Sequence, residues 1–183
     1  MAVDSKEEMK RTIGLSIKGA AFKGQDFVCF VYNDKIRPQF KHEIFHLISY
    51  EEWGYTTSRL LDEGAATFCD NECFYTNPIY TINAYLLKKK MLYALNDLVY
   101  NFDTVNAKND VIAYLQSAGI VKYLYESYGV DKLKLLWLQG FDKFQAIYGF
   151  SLAQLDKDWK KHIATTPIPK DFDWNKLNTQ GCG

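Results

Sequence analysis

The feature that most restricts the fold of this chain is a pair of histidines four residues apart, with a glutamate directly after the first. Residues 42–46 read His-Glu-Ile-Phe-His. On an α-helix, residues four apart lie one above the other, so the imidazoles of His42 and His46 can reach one ion, while Glu43 lies beside them and need not coordinate it. The pattern therefore predicts a helix through this stretch and a metal site on one face of it.

A third candidate ligand follows on the next predicted helix, in the segment Leu-Asp-Glu-Gly-Ala-Ala at residues 61–66. Zinc in catalytic sites usually takes three protein ligands and keeps a fourth position for water. His42, His46 and Glu63 therefore predict one zinc ion per chain, and Glu43, left uncoordinated, is the candidate general base that acts on a metal-bound water. The alternative is a pair of surface or core-edge histidines with no metal.

Length and composition are typical of one globular domain. A chain of 183 residues with 48% hydrophobic and 24% charged residues can bury a core without disulfide or metal support. We expect a single domain over residues 1–183, with a core at about 14–163 and a C-terminal strap at 164–183. The apolar runs are too short to cross a bilayer, so no membrane insertion is expected.

The charge balance restricts the classes of partner that we expect for this chain. Lys and Arg number 22, Asp and Glu also number 22, and the isoelectric point is about 6.8, so no global field attracts nucleic acid or an anionic membrane. The expected partner is a peptide or protein substrate. The polar start of the chain shows no targeting segment, which favours the cytoplasm by default and leaves a secreted or cell-envelope location open if a leader has been removed. The oligomeric state is left open.

The hydrophobic pattern predicts a β-rich start followed by helices. Two β-like runs within residues 15–31 flank a turn at 23–26, which indicates a hairpin or two edge strands. Asn33 or Asp34 is predicted to cap the helix of the two histidines, with Pro38 in its first turns. Further helices are predicted from 56–58 through 68, from 77–78 through 99, at 110–128, at 131–139, before Gly149, and last from 151 to 162. The predicted fold is α+β, with a small N-terminal β-sheet packed on a mainly α-helical body.

These residues resemble the gluzincin metallopeptidases, the broad group that includes thermolysin and the aminopeptidase N family, and especially the small bacterial peptidase MA-like domains. The resemblance starts from His42-Glu43-x-x-His46 followed by Asp62-Glu63-Gly64-x-Ala66, and it extends to residues 113–129 and 148–163. It covers roughly residues 14–163. The fold that it implies is zincin-like, and the activity that it implies is zinc-dependent hydrolysis of peptide bonds.

The resemblance also implies roles for single residues. His42, His46 and Glu63 would hold the zinc, and Glu43 would take a proton from the water and pass it to the leaving amine. Alignment with the family places Tyr114 as the donor to the oxyanion, although Tyr114 could instead simply pack in the core. Metal-bound histidines also need an outer hydrogen-bond partner, and Asp70, seven residues after Glu63, is our candidate.

The chain departs from the aminopeptidases in three ways. The interval between His46 and Glu63 is shorter, the residues after Tyr114 differ, and the signature that gathers a free amino terminus is absent. The stretch at 18–21 could still offer a strand edge to an extended peptide. Endopeptidase and exopeptidase action both stay open, and the alternative function is a catalytically inactive zincin-like domain that serves as a binding or scaffold module. The intact Glu43 argues against that alternative.

Overall fold

The computed structural model describes residues 1–36, 40–70 and 78–180. Its described part contains a small mixed sheet with the strands β1 (Ala2–Val3), β2 (Gly19–Phe22) and β3 (Phe27–Val31) in the order β1-β3-β2. β2 and β3 form an antiparallel hairpin, while β1 runs parallel to β3. The predicted hairpin and its turn at residues 23–26 are confirmed. Because β3 is central, β2 is an edge strand.

The first thirteen residues contain structure that the sequence analysis did not predict. Helix α1 (Lys6–Ile13) follows β1, and Ser5 caps it by accepting a hydrogen bond from the backbone N–H of Glu8 at 3.1 Å. Met9 is the fully buried residue of this helix, and it packs with apolar residues of the sheet. This helix buries only one side chain, so its sequence is mostly polar and lacks the apolar periodicity that would predict a helix.

The rest of the described chain is helical. Its helices are α2 (Phe40–Trp53), α3 (Arg59–Asp70), α4 (Ile79–Lys88), α5 (Leu95–Tyr100), α6 (Phe102–Asn106), α7 (Asp110–Tyr128), α8 (Val130–Gln139), α9 (Phe144–Tyr148), α10 (Leu152–Ala164) and α11 (Trp174–Gln180). The predicted α+β class, a small N-terminal sheet on a mainly helical body, is confirmed. No helix in residues 1–36, 40–70 and 78–180 combines the length and the apolar character needed to span a bilayer.

The start of α2 differs from the prediction. Asn33 and Asp34 precede a non-helical segment, so neither caps α2, and that prediction is wrong. Instead, Asn33 Oδ1 accepts hydrogen bonds from the backbone N–H groups of Lys35 and Ile36, both at 2.8 Å, which closes a local turn. Pro38 lies outside the described residues.

The single helix predicted from Asn77-Pro78 through Val99 is two helices, α4 and α5. Lys90, just after α4, adopts a left-handed conformation with φ of 58°. Between the helices, the buried side chain of Gln116 accepts a hydrogen bond from the Tyr93 N–H and donates one to the Tyr93 carbonyl, both at 2.9 Å. A side chain from α7 thus satisfies backbone groups that a continuous helix would satisfy itself. Asn77 lies outside the described residues.

The other predicted helices are confirmed within a residue or two of their ends. Ser58 caps α3, and Ser151 caps α10, each by accepting a backbone N–H three residues later. α10 is not the last helix, because α11 follows inside the segment predicted as a strap or frayed end. Trp174 and Leu177 of α11 are buried against residues of α4 and α7.

Helix α3 lies between α2 and α7 and is buried along most of its length. Its approach to α7 is so close that a Cβ atom at Gly64 would lie 2.8 Å from the backbone of Ser117. A glycine is therefore required there. On its other side, α2 packs against β2 and β3. This arrangement places one face of α2 beside both α3 and the edge strand of the sheet.

Candidate metal centre

The three predicted ligands meet between α2 and α3. His42, His46 and Glu63 are each at most 7% exposed, and their ligand atoms all lie within 4.8 Å of one another. His42 Nε2 lies 3.2 Å from His46 Nε2 and 3.3 Å from Glu63 Oε2, and His46 Nε2 lies 3.6 Å from the same Glu63 oxygen. The structure therefore brings the three residues into one cluster.

The spacing of this cluster suits a zinc ion. Ligand atoms held tetrahedrally at zinc–nitrogen distances of 2.0–2.1 Å lie about 3.3 Å from each other. The three distances between the donor atoms, 3.2, 3.3 and 3.6 Å, are close to that value. Two neutral imidazoles and one carboxylate are also donors that zinc prefers. The side chains fit the ion that the sequence predicts.

Asp62 orients the second histidine. Its Oδ1 lies 2.8 Å from His46 Nδ1, and its Oδ2 accepts a hydrogen bond from Lys23 Nζ at 2.6 Å. When the His46 Nδ1–H donates to Asp62, the lone pair of Nε2 points into the cluster. Burial raises the pKa of Asp62, but its hydrogen bonds to His46 and Lys23 outweigh burial and hold it below the usual value.

The third ligand carries a second ion pair. Glu63 Oε1 lies 3.1 Å from Arg59 Nη1, while Oε2 faces the two imidazoles. Burial raises the pKa of Glu63, but hydrogen bonds to His42 and His46 hold it far below its usual range, so Glu63 is ionised at neutral pH. Burial lowers the pKa of His46, but its hydrogen bonds to Asp62 and Glu63 raise it to about 9. A cation that binds at His46 Nε2 must therefore displace a proton.

Glu43, the candidate base, is buried between α2 and the edge strand β2. A Cβ atom built on Gly19 would overlap with Glu43 Oε1, so any other residue here would force the carboxylate to shift from its observed position. Burial raises the pKa of Glu43, and the opposing effect of His42 and His46 does not cancel the increase. A carboxylate with a raised pKa holds a transferred proton better than an exposed one.

Tyr114, on α7, lies at the edge of the cluster. The centre of its ring is 6.2 Å from that of His42 and 6.2 Å from that of Phe102. Burial, followed by the negative charge of Glu63, raises the pKa of Tyr114 well above its usual value, so the phenol keeps its proton. It can therefore act as a hydrogen-bond donor, and its role at the oxyanion stays a prediction.

Asp70 is fully buried near the end of α3. Its negative charge is among the influences that raise the pKa of Glu43. The outer hydrogen bond to a histidine among the described contacts comes from Asp62 rather than Asp70. His42 Nδ1 is buried and has no hydrogen-bond partner within the described part of the chain. The role of Asp70 as an outer partner stays a prediction.

For four residues, the sequence did not predict a role at this site: Gly19, Lys23, Arg59 and Asp62. Two of them carry a signal in the sequence. Arg59 stands four residues before Glu63, which is the spacing of a helical ion pair, and Asp62 is the direct neighbour of Glu63. Gly19 and Lys23 have no such signal, because they reach the site only through the packing of the sheet on α2.

The α+β fold and the cluster between its two central helices define a zincin-like domain. A family model described as the peptidase MA superfamily matches residues 28–165, which is most of the chain. The chain therefore belongs to the peptidase MA superfamily. No curated protein matches the chain, and no solved structure matches it. The matched range contains the three clustered residues, Glu43 and Tyr114, while Gly19 and Lys23 precede it.

Proposed function

We propose that this protein is a zinc-dependent peptidase that hydrolyses peptide bonds with Glu43 as the general base. The observation that carries the proposal is the cluster itself. Three buried donor atoms lie at the mutual distances of a tetrahedral site, and the carboxylate that follows His42 does not belong to the cluster of ligand atoms. A site that served only to hold a metal would need carboxylates that bind the metal or orient its ligands, as Glu63 and Asp62 can, but not a further buried carboxylate at Glu43.

His42, His46 and Glu63 would hold the metal. Zinc, when bound, acts as a Lewis acid that polarises the scissile carbonyl and lowers the pKa of a water molecule towards about 7. Glu43 accepts the proton that the attacking water loses and later donates it to the leaving amine. Its buried position next to β2 suits this exchange, because a raised pKa reduces the cost of holding the proton between the two steps.

Two further side chains have supporting roles. The Tyr114 hydroxyl donates a hydrogen bond to the oxygen that becomes negative when the carbonyl is attacked. Asp62 fixes the ring of His46 by accepting from its Nδ1–H, so that Nε2 keeps its lone pair for the metal.

The substrate is a peptide segment in an extended conformation. β2 is an edge strand, and Gly19 on it contacts the base. A peptide that pairs with this edge would run past Glu43, with backbone hydrogen bonds providing binding that does not depend on sequence. This geometry suits an endopeptidase and an exopeptidase equally. The alternative, an inactive domain that binds peptides, would use the same strand edge.

A digest of a peptide library distinguishes a peptidase from an inactive domain that only binds peptides. The wild type, Glu43→Gln and the control Glu51→Gln, which changes an exposed glutamate on the same helix, are incubated with a library of unstructured peptides. We expect cleavage by the wild type and by the control, and loss of cleavage with retained zinc in Glu43→Gln. Equal activity in Glu43→Gln and the wild type would contradict the role of Glu43 as the general base. A wild type that binds peptides without cutting them would support the binding domain.

A further inference from the structure

The two oxygens of Glu63 have different partners. Oε2 faces the Nε2 atoms of His42 and His46 at 3.3 and 3.6 Å, while Oε1 faces Arg59 Nη1 at 3.1 Å. An unrestrained carboxylate can rotate and present either oxygen, or both. Here the guanidinium occupies the side of Oε1, so that one defined oxygen is directed at the imidazoles.

Arg59 is itself held in place by helix α6. Its Cζ lies 5.8 Å from the centre of the Phe102 ring, and its Nε lies 3.8 Å from Asp103 Oδ1. A planar guanidinium can contact an aromatic ring with its face and donate hydrogen bonds from its edge at the same time. A lysine ammonium has no such geometry. Glu63 is thus paired with an arginine that also contacts a second helix.

We propose that Arg59 is a positioning residue that restricts Glu63 to one ligand oxygen and so keeps a coordination position open for water. The inference rests on the proposed function, since it presumes that Glu63 is a metal ligand. An open position is what separates a catalytic zinc site from a closed structural one. The ion pair on α10 between Lys160 and Asp156 has the same four-residue spacing, yet it joins no ligand cluster.

Removal of Arg59 has opposite consequences under two explanations. If Arg59 acted through its charge alone, its loss would remove a repulsive cation and strengthen metal binding. If it positions Glu63, its loss leaves a mobile carboxylate that must be ordered when the metal binds, and binding weakens. Arg59→Lys keeps the charge and loses the planar contacts, so under the positioning explanation it also weakens binding.

The test uses Co²⁺ in place of zinc, because its visible absorption depends on the coordination number and it can be titrated against a chelator. The samples are the wild type, Arg59→Met, Arg59→Lys and the control Arg11→Met, which makes the same change on α1. We expect Arg59→Met to bind Co²⁺ about 10-fold more weakly, with an absorption band weakened by a second carboxylate oxygen. Arg59→Lys should change in the same direction, and Arg11→Met should match the wild type.

Circular dichroism verifies that each variant folds, and the half-exposed position of Arg59 makes both replacements compatible with folding. Unchanged or tighter Co²⁺ binding in Arg59→Met, with an unchanged spectrum, would overturn the inference. If the wild type binds Co²⁺ but cleaves no peptide, the proposed peptidase activity is contradicted. The effect of Arg59 on metal binding would still support its positioning role. A wild type that takes up no Co²⁺ would overturn both.

Discussion

The cluster has two sides that are built differently. The sheet side consists of Gly19 and Lys23 together with Asp62, the residue of α3 that Lys23 contacts, and it lies next to His46 and Glu43. The helical side consists of Arg59, Glu63 and Tyr114, and it supplies a candidate ligand and a hydroxyl group.

Asp62 and Glu63 show the difference most clearly, since they are neighbours on α3 and point in different directions. Asp62 lies next to Nδ1 of His46, whereas Glu63 faces the Nε2 atoms of both histidines. Each carboxylate has a basic partner of its own besides the histidines: Lys23, just after β2, for Asp62, and Arg59, one turn earlier on α3, for Glu63. Buried carboxylates need such partners to stay ionised. Two of the candidate ligands, His46 and Glu63, are therefore each in contact with a residue that is not itself a candidate ligand.

The largest expected effect comes from exchanging the two neighbouring carboxylates for amides. Glu63→Gln should lose stoichiometric zinc, because an amide is a much weaker ligand than a carboxylate. Asp62→Asn should retain zinc with an affinity about 10- to 100-fold lower, as is typical when an outer partner is changed. Both affinities can be measured by competition with a chelator. Equal losses in the two variants would break the distinction between ligand and outer partner.

Tyr114→Phe tests the helical side further. We expect zinc content to stay the same and the turnover number to fall about 100-fold, because a hydrogen bond that forms at the oxyanion is lost. Steady-state kinetics on a cleaved peptide would measure this. An unchanged rate would place Tyr114 among the residues that only pack beside His42 and Phe102.

Gly19→Ala tests the sheet side. The added methyl group would overlap with Glu43 Oε1, so the carboxylate must shift, while the three candidate ligands are unchanged. We expect the turnover number to fall by about 10- to 100-fold, with zinc retained. Kinetics and metal analysis on the same sample verify both parts. If turnover is unaffected, the close contact between the strand and the base has no catalytic role.

The sequence predicts those parts of the fold that depend on local signals. The predicted bounds of helix α7, 110–128, are confirmed, and Gly129 directly after its end is such a local signal. His42 and His46 carry another, because their four-residue spacing indicates one face of a helix. The break between α4 and α5 was missed because it depends on Gln116, which reaches Tyr93 from another helix. No local sequence pattern predicts a contact between residues on two different segments.

The same reasoning applies to the site. Lys23 reaches Asp62 across 39 positions of the chain, so its part in the cluster depends on how the hairpin packs against α2 and α3. Helical periodicity indicates Asp70 because it lies on the same face as Glu63, and its role as an outer partner stays a prediction. The contact to His46 Nδ1 comes from Asp62, which is adjacent to Glu63 and about 100° around the helix, so periodicity along one face does not indicate it.

Metal analysis of the purified protein tests whether the cluster between α2 and α3 is a zinc site. The wild type, His42→Ala and the control His162→Ala, which removes the one histidine outside the cluster, are prepared without added zinc. We expect about one zinc per chain in the wild type and the control, and none in His42→Ala. Equal zinc in His42→Ala and the wild type, or no zinc in any of them, would contradict the account.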